Sequence, residues 1–395
     1  MITDAVRERA RALAEDEGLP AFVYDLDALR SHAAAVRSAL DVPGGPELFY
    51  AAKANADEPI LHALEPYVAG FEVASGGELE HVRRVLPDAR LAFGGPGKTD
   101  QELATALRLN VERIHVESPY ELARLAQLAQ EIGREVDVLL RVNLKSDSGR
   151  KGVALSMSGP FGMDPEAMEA CRPILERAPW MRFRGVHAHL ASGLDAPDMV
   201  RQSAEIVDWA RSYGDVEEVN VGGGMAVDYA DPGRIFDWAA YAKGVATPDV
   251  RLRIEPGRAL SVYCGWYVTE VLDVKRAHGD WYAVLHGGTM HLRTPVTKQH
   301  DQPFTVIPTG GPTGDSGGHP GGDSGGDGPA TAEPVTLVGQ LCTPKDVFAR
   351  EISAGRIAVG DVVAFAMAGA YGWNISHHDF LMHPKPGFHY LSERG

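Results

Sequence analysis

Cysteine is scarce in this sequence: Cys171, Cys264 and Cys342 are the only three among 395 residues. An odd number without metal-ligand spacing excludes a disulfide framework, gives no metal site, and fits a reducing, cytoplasmic setting. No apolar run approaches the length needed to cross a bilayer. The N-terminal stretch MITDAVRERARALAEDEGLP lacks the continuous apolar core of a signal peptide. Positive charge is also short, since 38 Lys and Arg against 54 Asp and Glu leave a net charge of −16. That balance argues against nucleic acid or an anionic membrane as partner, while leaving room for a local basic pocket. What is present, 44% hydrophobic and 23% charged residues, is a globular composition. The length calls for two domains.

Between residues 47 and 256, short apolar runs alternate with helical stretches. The strand candidates are ELFYAAK (47–53), FEVAS (71–75), LAFGG (91–95), RIHVE (113–117), VDVLLRVN (136–143), FRGVHAHL (183–190), EVNVG (218–222) and RLRIE (251–255). Each is bounded by Gly, Pro or polar residues, as a strand buried on both faces should be. The helix over 118–132 shows the intervening pattern. Ser118-Pro119 caps its start, Leu122, Leu125 and Leu128 mark its buried stripe, and Gly133 ends it. Eight strands with helices between them make a (β/α)8 TIM barrel. An open doubly wound sheet is the alternative, but the chemistry-bearing residues fall at strand ends all round the series, which favours the barrel. Beyond residue 258, WYVTEVLDVKR, WYAVLHGG, PFTVIP, PVTLVGQLC, VGDVVAFAM and FHYL read as strands without long helices, an all-β second domain. Within it, residues 310–328 hold ten glycines and a repeated GDSGG, so this tract should be a flexible surface loop rather than a phosphate cradle.

Four features sit at the ends of barrel strands. Lys53 closes the first, within FYAAKAN, where an amine is costly to bury unless it is used. His189 closes the sixth, with Ser192 just beyond; a lone histidine is more often a satisfied core or surface group. The seventh runs into Gly222-Gly223-Gly224, whose backbone N–H groups can approach an anion closely. The eighth ends Glu255-Pro256-Gly257-Arg258, a carboxylate followed by a guanidinium suited to phosphate. Each piece alone is weak, but the four in this order are specific together.

With these motifs, and with FEVASGGEL, HAHLASG, VNVGGGMAVDY, EPGR, LCTPKD and AGAYGWNIS, the chain resembles the fold-type III pyridoxal-phosphate decarboxylases. That family has an alanine-racemase-like barrel and includes the diaminopimelate and ornithine enzymes. The segments HGGTMHLRTPVTKQHDQPF and AGAYGWNISHHDFLMHPKP look like its siderophore-biosynthesis branch, the citryl-diaminopropionate decarboxylases. The resemblance implies pyridoxal 5'-phosphate held covalently by Lys53, His189 stacked on its ring and Glu255 paired with its pyridine nitrogen. It places Arg141 near the phenolic oxygen, and Ser192, Gly223, Gly224, Arg258 and Tyr371 around the phosphate. It also implies a homodimer with shared active sites, in which Cys342 reaches the other chain's substrate carbon. Cys171 and Cys264 read as small buried hydrophobes.

One departure bears on the substrate. In the diaminopimelate and ornithine enzymes an acidic residue follows the cysteine and reads a distal amine; here it is Thr343, which cannot make that charge-assisted contact. Arg293, Thr343 and Asp346 are the expected substrate-facing residues, and His291, Lys298, His300, His377 and His378 add a basic cluster suited to carboxylates. The expected activity is decarboxylation of an amino acid or conjugate bearing extra carboxylates. Diaminopimelate decarboxylation, action on a carrier-tethered amino acid, racemisation and non-catalytic cofactor binding are the alternatives. The expected layout is an N-terminal segment (1–30) packing with the C-terminal domain, a barrel (31–262), and a β-domain (263–395) with its flexible loop at 309–333.

Overall fold

The computed structural model describes residues 2–16, 18–144, 155–156, 159–309, 333–353 and 355–393. The glycine-rich tract expected as a loop at 309–333 therefore lies, from 310 to 332, outside the described residues. The chain forms two compact units, one of Leu29–Val227 and Ile235–Leu260, the other of Met1–Ala28, Asp228–Arg234 and Ser261–Gly395.

The first unit is a closed barrel of eight parallel strands. In chain order they are Glu47–Ala51, Gly70–Val73, Leu91–Phe93, Arg113–Val116, Val136–Arg141, Met181–His187, Glu218–Asn220 and Arg251–Ile254. These are the eight runs picked out by their apolar character, and each pairs with its neighbours in sequence. The eighth closes on the first, with Arg253 opposite Glu47 and Ile254 opposite Leu48. The helices between strands begin where side chains can satisfy free backbone N–H groups. Ser118 caps Pro119–Ile132, whose end is the left-handed Gly133, and Thr99 with Glu102 forms a reciprocal capping box.

At the strand starts the barrel is sealed by charge. Arg253, fully buried, has Nη2 3.0 Å from Glu47 and 2.9 Å from Glu112, and Nη1 3.2 Å from Glu218. Arg113 bridges Glu218 and Asp137, both at 3.0 Å, while Arg90 pairs with Glu112 and Glu47. Burial alone would raise the Glu112 carboxyl, but the bonds from Arg90 and Arg253 outweigh it and hold it down to about 2.

The second unit is a curled sheet. Its order is Phe304–Ile307, Val362–Phe365, Gly265–Ala277, Asp280–Leu285, Val335–Val338 and Val347–Ile352. The N-terminal strand Ala21–Asp25 joins it, antiparallel to Gly265–Ala277 and parallel to Gly387–Leu391. The helix Asp4–Glu15 buries Val6, Ala10 and Leu13, one helical face, in a core with Val23, Trp266, Val268 and Val362. Two strands here, Ala21–Asp25 and Val347–Ile352, were not singled out by the sequence pattern. No helix among the described residues is long and apolar enough to cross a membrane.

The ionic seal yields a direct test. Removing one member of a buried ion cluster leaves its partners uncompensated, at a cost of about 3–5 kcal/mol. Arg253→Met should therefore lower the denaturation midpoint sharply, whereas Arg182→Met, on the half-exposed side of Asp137, should change it little. Equal midpoints for the two variants in urea unfolding would contradict the role given to this layer.

Candidate functional site

The opposite end of the barrel, where the strands finish, gathers the chemistry. Lys53 lies in the tight turn Ala52–Ala54 directly after the first strand. Its Nζ donates to Glu72 Oε2 at 2.7 Å. The register sets Ala51 opposite Glu72, so the lysine meets a carboxylate from the adjacent strand. Lys53 remains 45% exposed while Glu72 is 5% exposed, leaving the amine reachable from solvent. Burial pushes the Glu72 carboxyl up and the Lys53 cation opposes it, with burial the larger.

Glu255 ends the eighth strand and is nearly buried. Its Oε1 accepts from Asn220 Nδ2 at 2.7 Å, and Asn220 Oδ1 accepts from the Gly222 N–H at 2.9 Å. One asparagine thus ties the carboxylate to the triple-glycine turn. That turn admits no side chain. A Cβ on Gly223 would lie 2.6 Å from the Glu255 carbonyl oxygen, and one on Gly224, at φ +106°, would lie 2.3 Å from the Ala191 oxygen. The Gly224 carbonyl accepts from the N–H groups of Gly193 and Leu194, which holds the Ser192 loop against the turn.

His189 Nε2 lies 3.5 Å from Ser192 Oγ, and its Nδ1 has no hydrogen-bond partner. Burial, then the cations of Lys53 and Arg141, hold its pKa down to about 4, so the ring is neutral at ordinary pH. Arg141, ending the fifth strand, pairs with Glu117 at 2.5 Å, and Glu117 also accepts from the Gly162 N–H. Arg258 follows Glu255 by three residues and opens the short helix Arg258–Ser261. Lys53, Arg141, His189, Ser192, Gly223, Gly224, Glu255 and Arg258 all belong to this unit and to loops at the strand ends.

Several members were not singled out from the sequence. Glu72, His115 and His187 lie in barrel strands, and each is nearly buried. Glu72 is the one ionisable residue of Gly70–Val73 and was the clearest available signal, whereas Arg113 shares the strand of His115 and Arg182 and Arg184 share that of His187. Lys98 and Glu121 form a further buried pair at 2.7 Å.

In the second unit, Cys342 is exposed. Asp346 is 2% exposed, and its carboxylate accepts from the N–H groups of Thr289 at 2.6 Å and Leu341 at 2.8 Å. It pins the turn that carries Cys342 and Thr343. The Arg293 guanidinium donates to the Ile375 carbonyl at 3.3 Å, and Thr294 Oγ1 donates to the Tyr371 carbonyl at 2.7 Å. His377 lies close enough to Arg293 that burial and that cation lower its pKa. The other histidines of the expected basic cluster are engaged elsewhere. His291 is buried between the Tyr267 hydroxyl and the Pro384 carbonyl, each at 2.9 Å. His300 stacks on Tyr229 and His378 on Trp373. The Lys298 side chain lies outside the described residues.

A reachable amine beside a carboxylate, neutral buried imidazoles, a side-chain-free turn and a second carboxylate at the end of the adjoining eighth strand form a set suited to a carbonyl cofactor bearing a phosphate. The comparisons agree. Residues 26–262 match the family model for the pyridoxal-dependent decarboxylase, pyridoxal binding domain. The chain is 39% identical over 388 residues to the 2-[(L-alanin-3-ylcarbamoyl)methyl]-2-hydroxybutanedioate decarboxylase of Staphylococcus aureus, covering 94% of each. It is 29% identical to the L-glutamyl-[BtrI acyl-carrier protein] decarboxylase of Niallia circulans, covering 93% of this chain and 87% of that one. In fold it is similar to the diaminopimelate decarboxylase of Helicobacter pylori, with a TM-score of 0.82 at 24% identity, over 95% of this chain and 92% of that one.

The residues present fit pyridoxal phosphate. Lys53 offers the amine, and Glu255 a carboxylate for the ring nitrogen. The Gly222-Gly223-Gly224 turn brings bare backbone to a position where any side chain would collide. His189 supplies a neutral ring with an unpartnered buried nitrogen.

Proposed function

Because this chain belongs to the family of pyridoxal-dependent decarboxylases, we propose that it removes the α-carboxylate from an amino acid joined to a polycarboxylate, in siderophore or other specialised metabolism. The carrying observation is a neutral Thr343 directly after Cys342, together with the Arg293–His377 pair, whose histidine also acts on Asp346. The position that would read a distal ammonium is neutral, while Arg293 and His377 stand together in the same unit. The 39% identical relative is named for such a conjugate, an alanine linked to a hydroxybutanedioate. A carrier-tethered amino acid is the second reading, favoured by the likeness to the Niallia circulans enzyme.

Bound pyridoxal phosphate supplies a ring that accepts the electron pair left when CO2 departs. The chain does the rest. Lys53 would hold the cofactor, and Glu255 would place a carboxylate at the pyridine nitrogen so that the nitrogen keeps its proton. His189 would pack against the ring, and Arg141 would stand near the phenolic oxygen. Ser192, Gly223, Gly224, Arg258 and Tyr371 would bind the phosphate. Arg293 and Thr343 face the substrate's far end, with Asp346 holding their neighbourhood in shape. The thiol of the partner subunit's Cys342 returns a proton to the α-carbon, which makes the working form a homodimer with shared sites. Its exposure in the single chain is in keeping with that role. A cytoplasmic location is supported by three cysteines that are all free.

Two experiments decide this reading. CO2 release should be much faster from an alanyl–citrate-type conjugate than from diaminopimelate. Arg293→Ala should raise KM for the conjugate about tenfold to a hundredfold, as loss of a charge-assisted bond does, with kcat less affected. Preference for diaminopimelate, or an unchanged KM, would refute the substrate assignment. For the dimer, Lys53→Ala and Cys342→Ala proteins should each be nearly inactive. On mixing and exchange they should recover roughly a quarter of wild-type activity per chain, because half the dimers are mixed and each carries one intact site. No recovery after complete exchange would put both residues in the same chain's site, or Cys342 outside the chemistry.

A further inference from the structure

His115, on the fourth barrel strand, and His187, on the sixth, are both nearly buried. Their rings stack with centroids 4.2 Å apart and planes 14° from parallel. His115 Nδ1 and Nε2 and His187 Nδ1 have no hydrogen-bond partner. Leaving such nitrogens bare inside a protein is costly, and a Phe or Leu would fill the space without that penalty. The nitrogens do have a direction in common. His187 Nε2 lies 3.3 Å from Glu255 Oε2, and His115 Nε2 lies 3.7 Å from Glu255 Oε1. The first distance is within loose hydrogen-bond reach and the second a few tenths of an ångström beyond it, as is common for site contacts that tighten on loading.

Burial lowers both imidazoles well below their ordinary pKa, so each ring is neutral and carries one N–H. Two arrangements could use these groups. A divalent metal could bind both rings and the carboxylate, which lie within 4.8 Å of one another. Rings stacked face to face, however, send their in-plane lone pairs along near-parallel lines instead of to one point, which is poor geometry for a single ion. Two N–H donors, one for each oxygen of a carboxylate, need no such convergence. With Asn220 already donating to Oε1, the two rings would complete the fixing of the Glu255 carboxylate plane.

We propose that His115 and His187 are positioning residues. Both are neutral and protonated at Nε2, and they hold the plane of the Glu255 carboxylate oriented toward where the pyridine nitrogen would lie. This rests on the pyridoxal-phosphate reading and adds the device that aims its key carboxylate. His115 touches neither lysine nor phosphate turn in this account, and it acts only through Glu255 and the ring stacked on it. Its Nδ1 side faces Gly94, where an added Cβ would lie 3.5 Å from that nitrogen and 3.0 Å from Glu72 Oε1.

The test uses the full chain with nitrogen-15 histidine, loaded with pyridoxal phosphate labelled at its ring nitrogen. Histidine spectra should show neutral rings with the proton on Nε2 for both residues, and their signals should shift in Glu255→Gln. His115→Phe, which keeps the stack but not the donor, should retain folding and cofactor content. Its kcat should fall about tenfold to a hundredfold with KM little changed, and the ring-nitrogen signal should move toward its unprotonated position. His115→Gln, which restores a donor, should recover much of both. A proton on Nδ1 of His115, or an unmoved ring-nitrogen signal in a loaded His115→Phe protein, would overturn the proposal. The histidine spectra can also be read in cofactor-free chain, so failure of the cofactor to bind at all would sink the broader reading while the tautomers still decide this one.

Discussion

Closure of the barrel by its last strand on its first is the constraint from which the site follows. Lys53 ends the first strand and Glu255 the eighth, about 200 residues apart in sequence, and they become neighbours only because Arg253 pairs with Glu47 and Ile254 with Leu48. The seam continues past the strands, where the Ala51 N–H donates to the Pro256 carbonyl at 3.2 Å. Gly257 then packs so closely that a Cβ there would meet that of Ala54 at 2.8 Å. An amine and a carboxylate are thus set on adjacent rims of one rigid frame, the arrangement expected where several strands each contribute a group at their C-terminal ends.

The two ends of the same barrel treat charge differently. At the strand starts, Arg90, Arg113 and Arg253 interleave with Glu47, Glu112, Glu218 and Asp137, and nearly every ion has opposite charges on two sides. At the strand ends the carboxylates have fewer cations and the imidazoles have bare nitrogens. Unsatisfied buried polar groups oppose folding. The bare imidazole nitrogens of His115, His187 and His189 at the strand ends are intelligible if a ligand completes that end, with the ion-paired end supplying rigidity. Glu72 shows the same logic locally. Its carboxylate accepts from Lys53, so the lysine's partner is already in place when the amine is needed for the cofactor.

Much of this was legible from the sequence, for identifiable reasons. The eight barrel strands are short apolar runs cut off by glycine, proline or polar residues; burial on both faces removes any alternation, so their shortness and these breakers mark them as strands. Lys53, His189, Glu255 and the glycines stand at the ends of those runs, where a polar residue is conspicuous. Glu72, His115 and His187 were harder to see because they sit within the runs, Glu72 as a single polar residue and the two histidines among other polar ones such as Arg113 and Arg184. Their facing toward one another depends on register and closure, which no local pattern carries. The strand Ala21–Asp25 escaped because its partner Gly387–Leu391 lies more than 360 residues away. The basic cluster shows the opposite error of proximity. His291, His300 and His378 look available in sequence, yet packing commits them to Tyr267, Tyr229 and Trp373, leaving His377 beside Arg293.

Lys53 is the residue on which the proposed site depends, and one measurement addresses its role in holding the cofactor without reference to substrate or partner. Reduction of the purified protein with borohydride fixes pyridoxal phosphate to whichever amine carries it, and peptide mapping then identifies the site. Labelling confined to the peptide containing Lys53 is the predicted result. Labelling at Lys98, which is buried against Glu121 at 2.7 Å, or no covalent label in a protein that retains the cofactor, would contradict the assignment of the site.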